Sequence, residues 1–261
     1  MPESETLQFE TTDSVAYVTF NRPAVLNAMN HELRTALTGQ LRELNEDDAV
    51  RVVVLRGAGR AFCAGQDQKE SRQFTAEAAA RRIETYVGLF QALRDMNKPV
   101  VAGIRGYAVG AGLQVAALAD IRIATPEAKF ALPELKMGAP AITGSGILWP
   151  IIGEANVRRL VLTSDFIDSA EALRLGLVHE VVPDDALEAS VKVLSEQLAD
   201  KPPLAVRLCK EWWREMTAAS FAQTAAHAVG AHASSYASGE LRAGAAKFLA
   251  RKSEEPSVGR A

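Results

Sequence analysis

Two short turns built from small residues carry the chain's best candidates for chemistry. They are Ala61-Phe62-Cys63-Ala64-Gly65-Gln66-Asp67 and Gly106-Tyr107-Ala108-Val109-Gly110-Ala111-Gly112. Each leads toward a segment of helical character. Small side chains at such turns let a ligand approach the backbone closely. The N–H groups at a helix start have no partner inside the helix and can donate to an outside oxygen. Two such donors converging from separate segments would form an oxyanion hole, which stabilises negative charge growing on a carbonyl oxygen. A carboxylate following at a fixed distance makes this an enzyme pattern.

Composition narrows the alternatives. The 261 residues are 48% hydrophobic and 23% charged, as expected of an ordinary globular protein. A net charge of -3 gives no general attraction to nucleic acid or an anionic membrane. No apolar run is long enough to span a bilayer. The start, Met1-Pro2-Glu3-Ser4-Glu5, lacks the pattern of a targeting segment, so a cytoplasmic location is expected. Cys63 and Cys209 form neither a disulfide framework nor a metal-binding spacing, and His31, His179, His227 and His232 add no ligand pattern; no metal is expected. A dehydrogenase reading fails because Phe62 stands where the phosphate-binding fingerprint needs glycine, and no G-x-S-x-G elbow is present.

The elements that must position the turns follow from periodicity. Residues 15–20 read as a strand ending at Asn21-Arg22-Pro23. Leu33, Leu37, Leu41 and Leu44 recur at helical spacing behind a capping Asn30. Val52-Val53-Val54-Leu55 and Val100-Val101-Ala102-Gly103-Ile104 read as buried strands, each running into one of the two turns. A long helix spans 76–96, another 111–119, and a strand 121–124. From Asn156 onward the chain reads as mostly helical, with a short strand at 178–182. Lys201-Pro202-Pro203 opens a helix in which Trp212 and Trp213 are expected to pack, and 220–252 is Ala-rich helix. The expectation is an α/β core over 1–200 and a helical region over 201–261, with 1–6 and 253–261 frayed.

These residues together resemble the enoyl-CoA hydratase/isomerase (crotonase) family. The resemblance is carried by Asn21-Arg22-Pro23 with Leu26-Asn27-Ala28, both turns, Lys98-Pro99-Val100, Asp120-Ile121-Arg122-Ile123-Ala124, Lys129-Phe130 with Pro133-Glu134, and Gly176-Leu177-Val178. Their order and spacing cover nearly the whole chain. The resemblance implies a spiral of repeated ββα units with C-terminal helices that build trimers, often paired into hexamers. It implies an acyl-CoA thioester substrate, with coenzyme A as part of the substrate rather than a separate cofactor. Gln66 and Ala111 are the implied backbone N–H donors to a thioester enolate.

Where the family's hydratases carry two glutamates, this chain has Gln114 and Glu134. Glutamine can hold a water but cannot exchange a proton near neutrality. Glu134 can, particularly if burial raises its pKa. A single carboxylate suits a proton shuttle between C2 and C4, so isomerisation of an enoyl-CoA is placed slightly ahead of hydration. A non-catalytic thioester-binding protein and other enolate reactions are the alternatives. The resemblance also places Ala24, Ala28 and Ala64 along coenzyme A, with Lys69, Phe248 and Lys252 at its phosphates and adenine. The lysines read equally well as solvated surface charges, and Phe248 as a core residue. Asp67 and Asp120 read as caps or backbone acceptors, and Cys63 as a small core residue. Residues 138–153 are expected to be a loop that, with 71–86, shapes the acyl pocket.

Overall fold

A computed structural model describes residues 5–71, 76–240 and 243–244. The strands are β1 (Leu7–Thr12), β2 (Val15–Phe20), β3 (Val52–Gly57), β4 (Val100–Ile104), β5 (Tyr107–Val109), β6 (Ile121–Ala124), β7 (Lys129–Ala131), β8 (Ile167–Asp168) and β9 (Glu180–Val181). The helices are α1 (His31–Glu46), α2 (Gln68–Ser71), α3 (Ala76–Arg94), α4 (Ala111–Leu118), α5 (Ile142–Thr163), α6 (Ser169–Arg174), α7 (Leu187–Ala199), α8 (Pro203–Met216) and α9 (Ala218–Ser238). A six-stranded sheet runs β1-β2-β3-β4-β6-β9, and a smaller one β5-β7-β8. Only β1 pairs antiparallel in the large sheet.

Parallel strands covered on both faces need continuous apolar runs rather than alternation. In β3, Val53 and Leu55 enter the main core, while Val52 and Val54 meet Val191 and Leu187 of α7 on the other face. The chain repeats one motif. A strand of the large sheet bends, a short extended piece crosses to the small sheet, and a helix returns. This gives β4–β5–α4 and β6–β7–α5; β3 does the same through an extended piece at Cys63, which bridges Ala108 of β5. These are the ββα units that the family resemblance implies.

Asn30 caps α1 by accepting from the Leu33 N–H at 3.0 Å, as its position predicts. Three expectations need correction. Residues 138–153 are not all loop: α5 begins at Ile142, and the breakers inside it, Pro150 and the left-handed Gly153 (φ 76°), obscured its periodicity. Trp212 and Trp213 do not pack inside; they are 59% and 55% exposed on α8. Thr6 is not frayed, since its carbonyl accepts from the Asn21 N–H at 2.8 Å.

The loop after β2 is stitched by Asn27, fully buried and in the left-handed region at φ 55°. Its Oδ1 accepts from the Arg22 N–H, and its Nδ2 donates to the Ala58 and Ala61 carbonyls. Asn27→Ala removes these bonds and puts an alanine where asparagine is tolerated. A loss of about 3 kcal/mol is expected, read as a lower urea midpoint at unchanged m-value.

Candidate active site

Three short parallel segments lie side by side: Cys63, β5 and β7. Cys63 pairs with Ala108, and Val109 pairs with Ala131. Running in one direction, they release their next residues at the same end. The first delivers Gln66, the second Ala111, and the third Glu134. Register alone thus gathers three residues far apart in sequence.

The first donor segment is fixed by its neighbour. The Met29 N–H donates to the Gly65 carbonyl and the Asp67 N–H to the Met29 carbonyl, at 2.7 and 3.1 Å. In that parallel pairing the Gln66 N–H points to the side away from Met29. Gly65 is left-handed at φ 89°, and a Cβ there would sit 2.7 Å from the Val109 carbonyl oxygen and 3.7 Å from the Ala111 nitrogen. The two donor segments therefore touch. The second segment turns at Gly110 (φ 53°, ψ -121°), whose N–H donates to the Ala131 carbonyl at 2.9 Å. Ala111 follows as the first residue of α4, where the unpaired N–H and the helix dipole both favour an anion.

The side chain of Gln66 is a finding beyond the sequence. Its Oε1 accepts from the Tyr86 hydroxyl at 2.6 Å and from Arg34, while its Nε2 donates to Glu70 at 2.8 Å and to the Asp67 carbonyl. Arg34, buried, holds Glu70 with two nitrogens and stacks 4.7 Å from the centre of the Tyr86 ring. The side chain thus anchors the backbone that presents the N–H. Tyr86, Arg34 and Glu70 come from α3, α1 and α2, so no local motif could announce the cluster.

Gln114 sits one turn into α4, buried, and its Nε2 donates to Glu134 Oε1 at 3.2 Å. Burial pushes the Glu134 carboxyl up to about 7, offset partly by its own backbone N–H and by Gln114. Glu134 Oε2 and Gln114 Oε1 are both buried without a hydrogen-bond partner. The two side chains are therefore joined at one end and present two bare acceptors at the other. A carboxyl poised near neutrality can take a proton and return it.

A cavity of about 130 Å³ joins these parts; Gln66, Ala111, Gln114, Glu134 and Ala64 all line it. Ala24 is exposed and Ala28 half-buried on the loop after β2; neither lines the cavity, but the loop reaches it through the Ala64 N–H, which donates to the Leu26 carbonyl at 2.9 Å. Lys69 is exposed on α2, outside the cavity lining. Phe248 and Lys252 lie outside the described residues. Asp67 accepts from Arg22 at 2.8 Å and the Lys69 N–H at 2.9 Å, and Asp120 accepts from the Val100 N–H at 2.7 Å and from Lys210, so both are structural. Burial pushes the Cys63 thiol up to about 12, which leaves it inert. Arg82 and His232 also line the cavity, and no sequence motif singles out either. Among the described residues, no helix is long and apolar enough to cross a membrane.

The enoyl-CoA hydratase/isomerase family model matches residues 10–255. (E)-Benzylidenesuccinyl-CoA hydratase of Thauera aromatica is 38% identical over 204 residues, covering 77% of this chain and 79% of that protein. A probable enoyl-CoA hydratase of Rhizobium meliloti is 32% identical over 252 residues, covering 96% and 97%. The crystal structure of an enoyl-CoA hydratase/isomerase from Mycobacterium paratuberculosis matches with a TM-score of 0.88 at 26% identity, covering 95% of this chain and all of that one. The backbone segments that meet beside a buried carboxyl, on a ββα spiral, thus belong to an enzyme of the enoyl-CoA hydratase/isomerase family, acting on acyl-CoA thioesters.

Proposed function

We propose that the enzyme adds water across the 2,3 double bond of an enoyl-CoA. The observation that carries this reading is the pair of bare buried acceptors, Glu134 Oε2 and Gln114 Oε1. A water has two hydrogens to give, and these two oxygens can take both. The hydratase names of the relatives at 38% and 32% identity support the same order, which reverses the slight preference for isomerisation drawn from the lone carboxylate.

In this reading the thioester oxygen accepts from the Gln66 and Ala111 N–H groups. Ionised Glu134 takes one proton from the water as its oxygen bonds to C3. The π electrons move toward C2 and the carbonyl, and the enolate oxygen is held by the two N–H groups. Protonated Glu134 then returns its proton to C2, leaving a 3-hydroxyacyl-CoA and the starting carboxylate. Coenzyme A runs along residues 24–28 to Ala64, with Lys69, Phe248 and Lys252 available to its nucleotide. The single carboxylate favours one second reading: Glu134 takes a C2 proton from a 3-enoyl-CoA and returns it to C4.

Mass spectrometry of 2- and 3-enoyl-CoA thioesters in heavy water separates the two. Hydration gives a product heavier by one heavy-water molecule; double-bond migration without water gain overturns it. Gln114→Ala is expected to slow hydration on the order of 10²-fold, the cost of misplacing a reactant, while leaving isomerisation largely intact.

We also propose a homo-oligomer, trimeric or hexameric, formed through the helical region. Leu204, Leu208, Trp212 and Met216 recur every fourth residue along α8 and are 53–67% exposed, a stripe that a partner subunit would cover. Sedimentation of a monomer at micromolar concentration would contradict it.

A further inference from the structure

The aim of the Gln66 N–H depends on one peptide plane, shared by the Gly65 carbonyl and the Gln66 nitrogen. Upstream that plane is weakly restrained, because Gly65 sits at φ 89° with no side chain to pack. The Met29 N–H holds the Gly65 carbonyl at 2.7 Å, yet one hydrogen bond lets the plane rock about it. Further restraint comes from downstream, through the Gln66 side chain.

Neighbours hold that amide in one orientation. Its Nε2 donates to Glu70 at 2.8 Å and to the Asp67 carbonyl at 3.1 Å, both of them acceptors. Oε1 therefore faces the donors, Arg34 at 3.3 Å and the Tyr86 hydroxyl at 2.6 Å. Burial pushes the Tyr86 pKa up to about 12, with Arg34 opposing, so the hydroxyl keeps its proton and donates. The Tyr86 ring is 5% exposed, stacks on Phe90 with centroids 5.9 Å apart and receives Arg34 at 4.7 Å. Neither ring contact needs the hydroxyl. Its bond to Gln66 is thus separable from the packing of the ring.

We propose that Tyr86 is a positioning residue for the oxyanion hole, its hydroxyl fixing the Gln66 side chain and through it the aim of the Gln66 N–H. This rests on that N–H being one of the two donors of the proposed reaction. Tyr86 also lines the cavity, so one side chain of α3 serves both the wall of the site and the stiffness of the hole. A misaimed donor costs most in the transition state, where the charge on oxygen is growing. Tyr86→Phe should therefore lower kcat about 10-fold while KM changes less than about 2-fold.

Infrared spectroscopy of bound butyryl-CoA, isotope-labelled at the thioester carbonyl, reads the hole without turnover. Hydrogen bonds to that oxygen lower its stretching frequency, so the wild-type band should lie below that of the free thioester. Tyr86→Phe should move the band part of the way back. Gln66→Met, which keeps the N–H but loses the amide, should do the same. In the double variant Tyr86→Phe should add nothing further to the band or to kcat, because its effect passes through Gln66. Additive effects overturn the proposal, as does an unchanged band in Tyr86→Phe. A Tyr86→Phe chain that does not fold makes the hydroxyl structural and overturns it too. A wild-type band at the free position removes the hole itself, and the proposal falls with it. A shifted wild-type band that Tyr86→Phe leaves alone removes only Tyr86 and leaves the hole standing.

Discussion

Glu134→Gln is expected to lower turnover by about 10³- to 10⁴-fold while making the fold more stable above neutrality. The substitution preserves size and keeps an acceptor toward Gln114 but removes the exchangeable proton. The stability gain follows from the raised carboxyl. Below about pH 4.5 the group is protonated in both the folded and unfolded chain and costs nothing. As pH rises, the unfolded chain ionises first, and stability falls until pH passes about 7, where the folded carboxyl also ionises. The loss approaches about 3 kcal/mol, and glutamine does not suffer it. Urea denaturation at pH 5 and pH 8 checks this: the variant's advantage should be small at the first and large at the second. In the wild type, kcat/KM for hydration should rise with pH through about 7, because the forward reaction begins with the ionised carboxylate. A variant that keeps full activity, or a profile flat from pH 5 to 9, would contradict the role given to Glu134.

Gly65→Ala is expected to lower kcat by about 10²- to 10³-fold, comparable to removing a donor from an oxyanion hole. The new methyl would stand 2.7 Å from the Val109 carbonyl on a backbone at φ 89°. The clash is backbone against methyl, so relief requires the Gln66 and α4 segments to separate. That separation widens the gap between the two N–H groups and weakens both hydrogen bonds to the enolate. Gly88→Ala is the control: it lies in α3 with nothing within 4 Å of the added Cβ, and should be neutral or stabilising by up to about 1 kcal/mol. Steady-state kinetics with folded protein, verified by circular dichroism, distinguishes a lost hole from a lost fold. Equal kcat in Gly65→Ala and Gly88→Ala would contradict the placement of the hole.

The two turns were legible in the sequence because each depends on local composition, whereas Glu134 was marked by the family resemblance. Glycine at 65 and 110 is required by the backbone turn itself, and Ala111 is placed by the helix that follows. The strands at 15–20, 52–55, 100–104 and 121–124 were likewise legible as apolar runs, and the helix of Leu33, Leu37, Leu41 and Leu44 from its spacing. The small sheet was not legible. Its strands β5, β7 and β8 are three, three and two residues long, too short for alternation to register. Yet it is this sheet's register that brings Gln66, Ala111 and Glu134 together. The Tyr86–Arg34–Glu70 support of Gln66 was equally hidden, because it exists only once α1, α2 and α3 have packed. His232 lay in a run of alanine helix with no neighbouring signal, and only the seating of α9 against α3 places it on the cavity.

In the proposed chemistry both hydration and isomerisation pass through an enolate whose C2 exchanges a proton with Glu134: hydration protonates C2 and isomerisation deprotonates it. Exchange of that proton can therefore be followed without any product forming. A saturated acyl-CoA incubated with the enzyme in deuterium oxide should gain deuterium at C2, detected by proton magnetic resonance, and Glu134→Gln should not support that exchange. Exchange that persists in Glu134→Gln would place the proton-transfer group elsewhere and contradict the assignment of the site.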